Sequence, residues 1–247
     1  MTTVMRVLNG KPFNCYVPSP MYKMAQIRPY VTQFRKIEQT FEKLDQEASS
    51  FNRLLSSAAS GSALNGGVVT VEEGERFTEA VAYLRKIKII RAEHLPLAHR
   101  LLTDIVGNEF RQDHVWLNGT HPSMSWFVGP PPEMVKKLAS QCLQVLDDKE
   151  LASSLRASVC MVRLMQIHPF LDANGRLARA VFCAHALNSR VSVELFLPYL
   201  QRLWLNGGHW LATQLNLLQN TENWNDILEF AMSAMHENSV SHPTINN

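Results

Sequence analysis

Between residues 28 and about 55, Phe34, Ile37, Phe41 and Leu44 recur at three- and four-residue steps with charges between them. That periodicity predicts an amphipathic helix. The stretch 57–67 is small and glycine-rich, a frayed helix end running into a loop. Thr70, with Glu73 three residues on, gives a capping-box start to a second helix. Phe77, Val81, Leu84 and Ile87 carry it to about residue 92. Pro96 opens a short helix reaching about 105, and further helices are predicted over 133–146, 150–167, 176–188, 195–205, 209–218 and 223–237. The 150–167 helix is apolar almost all round, which predicts a central position in the core.

Two stretches depart from helical spacing. Residues 1–20 carry Pro12, Pro18 and Pro20 and read as an extended lead-in. VWLNG (115–119) and SWFVG (125–129) are aromatic and β-branched, joined by Thr120, His121, Pro122 and Ser123, and form the one hairpin predicted here. Pro130, Pro131 and Pro132 end it and suit a helix start near Glu133. The expected class is all-α with one β-hairpin.

Composition narrows the function classes. The 247 residues are 46% hydrophobic, enough for a sizeable core, and the net charge is only +2 with both signs interspersed. That argues against a nucleic-acid interface, which would show a basic cluster. The four cysteines are scattered without a CxxC pair, so a disulfide framework or zinc site is not expected and a reducing compartment fits. No apolar run approaches the roughly 20 residues of a membrane span, and the N-terminus lacks a signal-peptide core. A soluble, cytoplasmic protein is the expectation.

The chemistry concentrates in HPFLDANGRLAR, residues 168–179. Pro169 ends the preceding helix and holds His168 at a break, where the imidazole can take a proton from a hydroxyl. Phe170 reads as a plug into the core. Asp172 is placed to hold Mg²⁺ against phosphate oxygens. Asn174 is expected to cap the next helix, and Gly175 to let an anion approach the backbone. The N–H groups and positive dipole end of that helix form a phosphate site. Arg176 and Arg179, three apart, are expected to point the same way. Each residue alone has an ordinary explanation as a turn former or solvated charge; the combination does not.

This stretch resembles the signature of Fic-domain proteins, HPFx(D/E)GNGRxxR. The likeness extends to Gly107–Arg111, Val115–Leu117, Phe127–Val128, Pro198–Leu200 and Asn223–Asn225, covering about residues 97–235. It implies a Fic-type helical bundle with one β-hairpin flap and an N-terminal helical extension. The implied domains are a lead-in over 1–27, a helical region over 28–95, a catalytic core over 96–238 and a tail over 239–247. The implied activity is protein AMPylation, the transfer of AMP from ATP to a hydroxyl of a target protein with release of pyrophosphate. Carried over by position, His168 is the general base and Asp172 the Mg²⁺ ligand. Phe170, Asn174, Gly175, Arg176 and Arg179 belong to the ATP site. The flap residues Val115, Trp116, Leu117, Ser125, Trp126 and Phe127 would receive the target segment as an added strand.

Two departures matter. Ala173 stands where the family usually has glycine; the D-A-N form occurs in a phosphate-transferring branch, but there lysine follows, whereas Gly175 matches the AMP transferases. Many relatives also carry an inhibitory (S/T)xxxE(G/N) helix whose glutamate pairs with the second arginine. Here Ser56–Gly61 has that shape with Ser60 in the glutamate's place, and Ser233–Asn238 offers Glu237 as a candidate near the C-terminus. Two other functions compete: transfer of another nucleotide or phosphate-containing group, and a non-catalytic module binding an anion and a peptide. A homodimer is open. His94, His99 and His114 read as structural or surface residues, His185 as a satisfied core histidine, and Trp204, Trp210, Trp224 and Phe230 as core.

Overall fold

The computed structural model describes residues 2–19, 25–41, 48–60, 70–103, 109–205 and 207–241, without the side chains at 48–51, 60, 204, 205, 207–209 and 237–241. Two helices form the centre: α6 (Ser153–Ile167) and α7 (Asn174–Asn188). They pack on each other, and both are buried on nearly every face. For α6 that matches the all-round apolar pattern, and the six-residue link between the two helices breaks the core here.

The other helices wrap this pair. On one side, α3 (Val71–Lys86) and α4 (Leu95–Thr103) pack against each other and against α7, joined there by α2 (Ala48–Ser60). On the other, α1 (Arg28–Phe41) packs on α6 and on α10 (Asn225–Ser241), while α8 (Leu197–Leu205) bridges α2 and α10. α5 (Val135–Leu143) and α9 (Gly207–Thr221) flank α6. The helical class holds, and among the described residues no helix is long and apolar enough to cross a membrane.

Several boundaries differ from expectation. The helix predicted over 28–55 is two helices, α1 and α2, with different packing partners; residues 42–47 lie outside the described ones. α3 starts with the expected capping box, Glu73 N–H donating to Thr70 Oγ1 at 3.1 Å and Thr70 N–H to Glu73 Oε2 at 3.0 Å. It stops at Lys86 rather than near 92, because Ile87 turns extended.

The lead-in is extended as read, but it is a hairpin in its own right. β1 (Thr2–Leu8) pairs antiparallel with β2 (Lys11–Val17) through a two-residue turn at Asn9 (φ 50°) and Gly10 (φ 74°). Asn-Gly suits such a turn because both central residues need positive φ. Pro12 is tolerated because a two-stranded ribbon has only edges. The expected hairpin is also present: β3 (Trp116–Leu117) pairs with β4 (Phe127–Val128), Trp116 opposite Val128 and Leu117 opposite Phe127.

Candidate active site

His168 ends α6 in the left-handed region (φ 51°, ψ 64°), its N–H closing the helix on Leu164 O. A non-glycine residue there stores strain that the surroundings must hold. Its Nδ1–H donates to Met165 O at 3.2 Å. A carbonyl can only accept, so this bond fixes the tautomer and leaves Nε2 with its lone pair. Burial pushes the His168 pKa down to about 4, opposed by the Met165 carbonyl, then reinforced by the Arg111 charge and opposed by Asp172. The imidazole is neutral at pH 7, as a proton acceptor must be.

The link itself is built from within. Phe170 is 2% exposed, stacked at 4.0 Å on His99 and at 5.5 Å on Phe110. His99 Nε2–H donates to Asp172 O at 2.9 Å, so this histidine is a buried support for the turn. Leu171 and the Asp172 side chain are exposed, which puts the turn at the surface. Asn174 does not cap α7. It is the helix's first residue, and its carboxamide accepts from Phe170 N–H at 2.8 Å and donates to Phe170 O at 2.9 Å.

The N-cap is Ala173, at φ 56°, with no side-chain oxygen to offer. Leu177 N–H makes the first intrahelical bond, to Ala173 O, so helix geometry leaves the preceding N–H groups of the first turn without helical partners. An uncapped start on a 15-residue helix is a favourable place for an anion. A Cβ on Gly175 would lie 3.4 Å from Arg179 Nη1, so the missing side chain keeps that approach open.

The two arginines are held by different neighbours. Arg176 lies 3.7 Å from Glu73 and 3.4 Å from the Leu102 carbonyl. Arg179 is 8% exposed, and its Nε–H donates to Ala58 O at 2.7 Å. Its buried Nη2 has no hydrogen-bond partner among the described residues, and burial lowers its pKa to about 10. Thus α2, which carries residues 56–60 of the Ser56–Gly61 segment, does reach Arg179, by a main-chain carbonyl near its C-terminal end; Gly61 lies outside the described residues. Ser60's side chain and Glu237's side chain lie outside the described residues.

For a divalent cation the turn offers one exposed carboxylate, Asp172. Among the described residues no group of three or more His, Cys, Asp or Glu is gathered for a metal. One carboxylate fits Mg²⁺ bound mainly by substrate phosphates and water.

The flap closes over this turn through a residue the motif reading passed over. Arg111 is 3% exposed and donates to His168 O (2.7 Å), Pro130 O (2.6 Å) and Asp113 O (2.8 Å). It ties the end of α6 to both sides of the hairpin. Phe127 lies 5.8 Å from the His168 ring, while Trp116 and Val128, on the opposite flap face, pack against Phe13 and Cys15 of β2. His121, at the flap tip, bonds Leu8 O at 3.1 Å, and Arg6 pairs with Glu133. Val115 is half-buried beside this cluster, and Ser125 Oγ donates to Leu117 O and Phe127 O within the hairpin. Among the remaining residues, His185 is 3.0 Å from Ser153 Oγ, Trp224 is buried, and Trp210 packs on Phe230 at 4.1 Å.

A helical domain with a histidine-ended core helix, an uncapped anion-ready turn and a hairpin laid over both is the class defined by this geometry. Residues 89–186 match the Fic/DOC family model. The same fold occurs in a Fic family protein from Desulfovibrio desulfuricans, at 18% identity and a TM-score of 0.61, covering 92% of this chain and 76% of that one. It occurs in Fic-1 from C. elegans, at 15% identity and a TM-score of 0.52, covering 87% and 72%. The structure of IbpAFic2 covalently tethered to Cdc42 is similar at 14% identity and a TM-score of 0.52, covering 83% and 69%. No curated protein sequence matches the chain.

Proposed function

We propose that this protein is a protein adenylyltransferase, moving AMP from ATP to a hydroxyl side chain of a target protein. The supporting observation is the pairing of a neutral His168, its Nε2 without a hydrogen-bond partner among the described residues, with the uncapped start of α7 one short turn away. The target hydroxyl attacks the α-phosphorus as His168 Nε2 takes its proton. The new oxygen–phosphorus bond forms while the bond to the β-phosphate oxygen breaks, and pyrophosphate leaves. The first-turn N–H groups of α7, with Arg176 and Arg179, hold the phosphates and neutralise developing charge. Asp172 would hold Mg²⁺ together with the nucleotide, and the ion would supply further charge neutralisation there.

An anionic triphosphate beside His168 raises its pKa from about 4 toward neutrality, where a general base works best. Arg179 must first exchange the Ala58 carbonyl for phosphate, so movement at the end of α2 accompanies productive binding. That seal favours one second reading, a resting module that binds anion and peptide without transfer. ATP labelled at the α- or γ-phosphate separates these, using wild type and His168→Ala. Label on protein from the α position only, lost by at least about a hundredfold in the variant, is the expected result. Label from the γ position alone means phosphoryl transfer, and none from either means binding only.

A further inference from the structure

The candidate site lies where α6 stops and α7 starts. At their other ends Ser153 opens α6 and Asn188 closes α7, and there a second recess is found. It is a cleft of about 590 Å³, walled by those two helix ends, α1, the chain just after α3 and residues 146–151. Small-molecule sites span roughly 300–1,000 Å³, so a compact ligand fits.

Its charge is one-sided. Arg35, Lys88, Lys149, Arg156 and Arg190 line it, against two carboxylates, Glu38 and Asp147. Both carboxylates are already engaged. Glu38 Oε1 accepts from Ser154 N–H and, at 2.7 Å, from Ser154 Oγ–H, which makes Glu38 the anion at the start of α6. Asp147 is held at 2.7 Å by Arg91, a residue outside the cleft lining. Among the described residues Lys88, Lys149 and Arg190 have no ion-pair partner.

Arg156 is the one of the five that is not exposed. Its Nη1–H donates to Leu146 O at 2.7 Å, but its buried Nε has no hydrogen-bond partner among the described residues. Burial lowers its pKa against the pull of Glu38, Asp148 and Asp147, so these carboxylates do not make up for the water it has lost. His185 shares the lining, its Nε2 3.0 Å from Ser153 Oγ. Burial and then the Arg156 charge bring its pKa to about 4; the Ser153 backbone and Asp147 oppose this, and Lys149 adds to it. Arg156 and Lys149 therefore both act on this one imidazole.

The rest of the wall is apolar. Ile90, Leu146 and Val191 are buried, and Ile87 and Leu151 half-buried. Such a wall suits a ring or hydrocarbon body better than a bare ion. The cations surround a recess instead of following a stripe, which suits a small molecule and not a nucleic acid. A phosphate, with up to two charges and three acceptor oxygens, can engage several cations at once, where a single carboxylate engages fewer.

We infer that this cleft is a second ligand site, taking a small phosphorylated molecule whose phosphate is held by Arg156 and Lys149 beside His185 and whose apolar body lies against Ile87, Ile90 and Val191. It stands whether or not the protein transfers AMP, because none of these residues belongs to the 168–179 turn.

NMR of the full chain, with 1-naphthyl phosphate as the probe, tests this. Saturable amide shifts are expected at Ser153, Arg156, His185 and Arg190; shifts confined to residues 168–177, or none, overturn the inference. Inorganic phosphate, 1-naphthol and 1-naphthoate are each expected to bind at least about tenfold more weakly at the cleft. Equal binding of phosphate removes the apolar body, equal binding of naphthol the anion, and equal binding of naphthoate the phosphate. The His185 imidazole is expected to titrate about one unit or more higher with the probe bound, since a nearby anion favours its charged form. An unchanged titration overturns the placing of the phosphate.

Lys149 and Arg190 are exposed, so reversing both charges leaves the core intact. Lys149→Glu combined with Arg190→Glu is expected to weaken the probe at least about tenfold with an unchanged melting temperature. Unchanged affinity in this variant overturns the inference. Arg156→Gln is expected to weaken the probe as well, and there the paired loss of the Leu146 bond is read separately from its melting temperature.

Discussion

Two carboxamides perform the same task at opposite ends of the candidate site. Asn174 grips both peptide groups of Phe170 from four residues away, and Gln219 grips both peptide groups of Val128 from 91 residues away. The first belongs to a turn that specifies itself: histidine, proline, phenylalanine plug, asparagine clamp and uncapped helix start all lie within seven residues of chain. The second belongs to a hairpin that has little of its own. Its strands are two residues each, and it is held by Arg111, by α9 and by the N-terminal hairpin. The groups proposed to react are thus locally encoded, while the surface proposed to receive a target is assembled from the β3–β4 hairpin, α9 and the N-terminal hairpin.

That contrast can be broken in several ways. The largest effect is expected from Arg111→Met, which fills similar space but strips donors from the His168, Asp113 and Pro130 carbonyls. Unpaired buried acceptors of this kind cost about 1–3 kcal/mol, so a loss of about 3 kcal/mol in urea unfolding is expected. A loss below about 1 kcal/mol means that turn and flap do not depend on their shared arginine.

Next come the two clamps themselves. Asn174→Leu orphans buried groups inside the core-facing turn and is expected to cost about 2 kcal/mol. Gln219→Leu acts at the flap, where water can re-enter as the hairpin lifts, and about 1 kcal/mol is expected. Equal losses in the two variants erase the distinction between a self-specified turn and a borrowed hairpin.

Protonation sharpens the picture further. His168 and His185 both have pKa values near 4 in the fold, lowered first by burial from the ordinary 6.5. The unfolded chain therefore binds more protons between these limits, and stability falls as pH drops from 6.5 through 4. A flatter melting-temperature profile in His168→Gln over that window is the expected outcome; an unchanged slope assigns the loss to other groups. In kinetics, the acid limb of kcat/KM belongs near pH 4, and that of kcat about one to two units higher because bound phosphate favours the imidazolium. Coincident limbs mean that no phosphate lies beside His168.

The smallest effect is a gain. Ala173 sits at φ 56°, where glycine is unstrained, so Ala173→Gly is expected to stabilise the fold by roughly 0.5 kcal/mol after the greater chain entropy of glycine is offset. A melting temperature lowered by this change means that the alanine methyl, buried at 7% exposure, contributes packing that outweighs the strain.

Much of this was legible in advance, for reasons particular residues supply. The capping box at Thr70 and Glu73 is a three-residue relation, and it forms as written. The break at His168 follows from Pro169, which cannot continue a helix. The N-terminal hairpin was equally written, in Asn9-Gly10 between strands that alternate in and out, but Pro12 and its neighbours masked the signal. The role of Asn174 was misread by one position. A left-handed Ala173 moves the cap back one residue and turns the asparagine onto Phe170, which depends on the aromatic stack beneath that turn. Arg111 was visible only as one residue of a resemblance, because four separated carbonyls define its function and three of them lie 19 to 57 residues away.

By itself the sequence determined the helices with their periodic faces, the hairpin, and a turn whose residues constrain one another within a few bonds. Short-range sterics and hydrogen bonding suffice for these. Only the tertiary structure decided that the end of α2 presses a carbonyl on Arg179, that α9 fills one flap edge, and that a second hairpin backs the flap. Those contacts join residues about 90 to 120 positions apart. The first two have main-chain groups as partners, which every residue carries, so no side-chain pattern announces them.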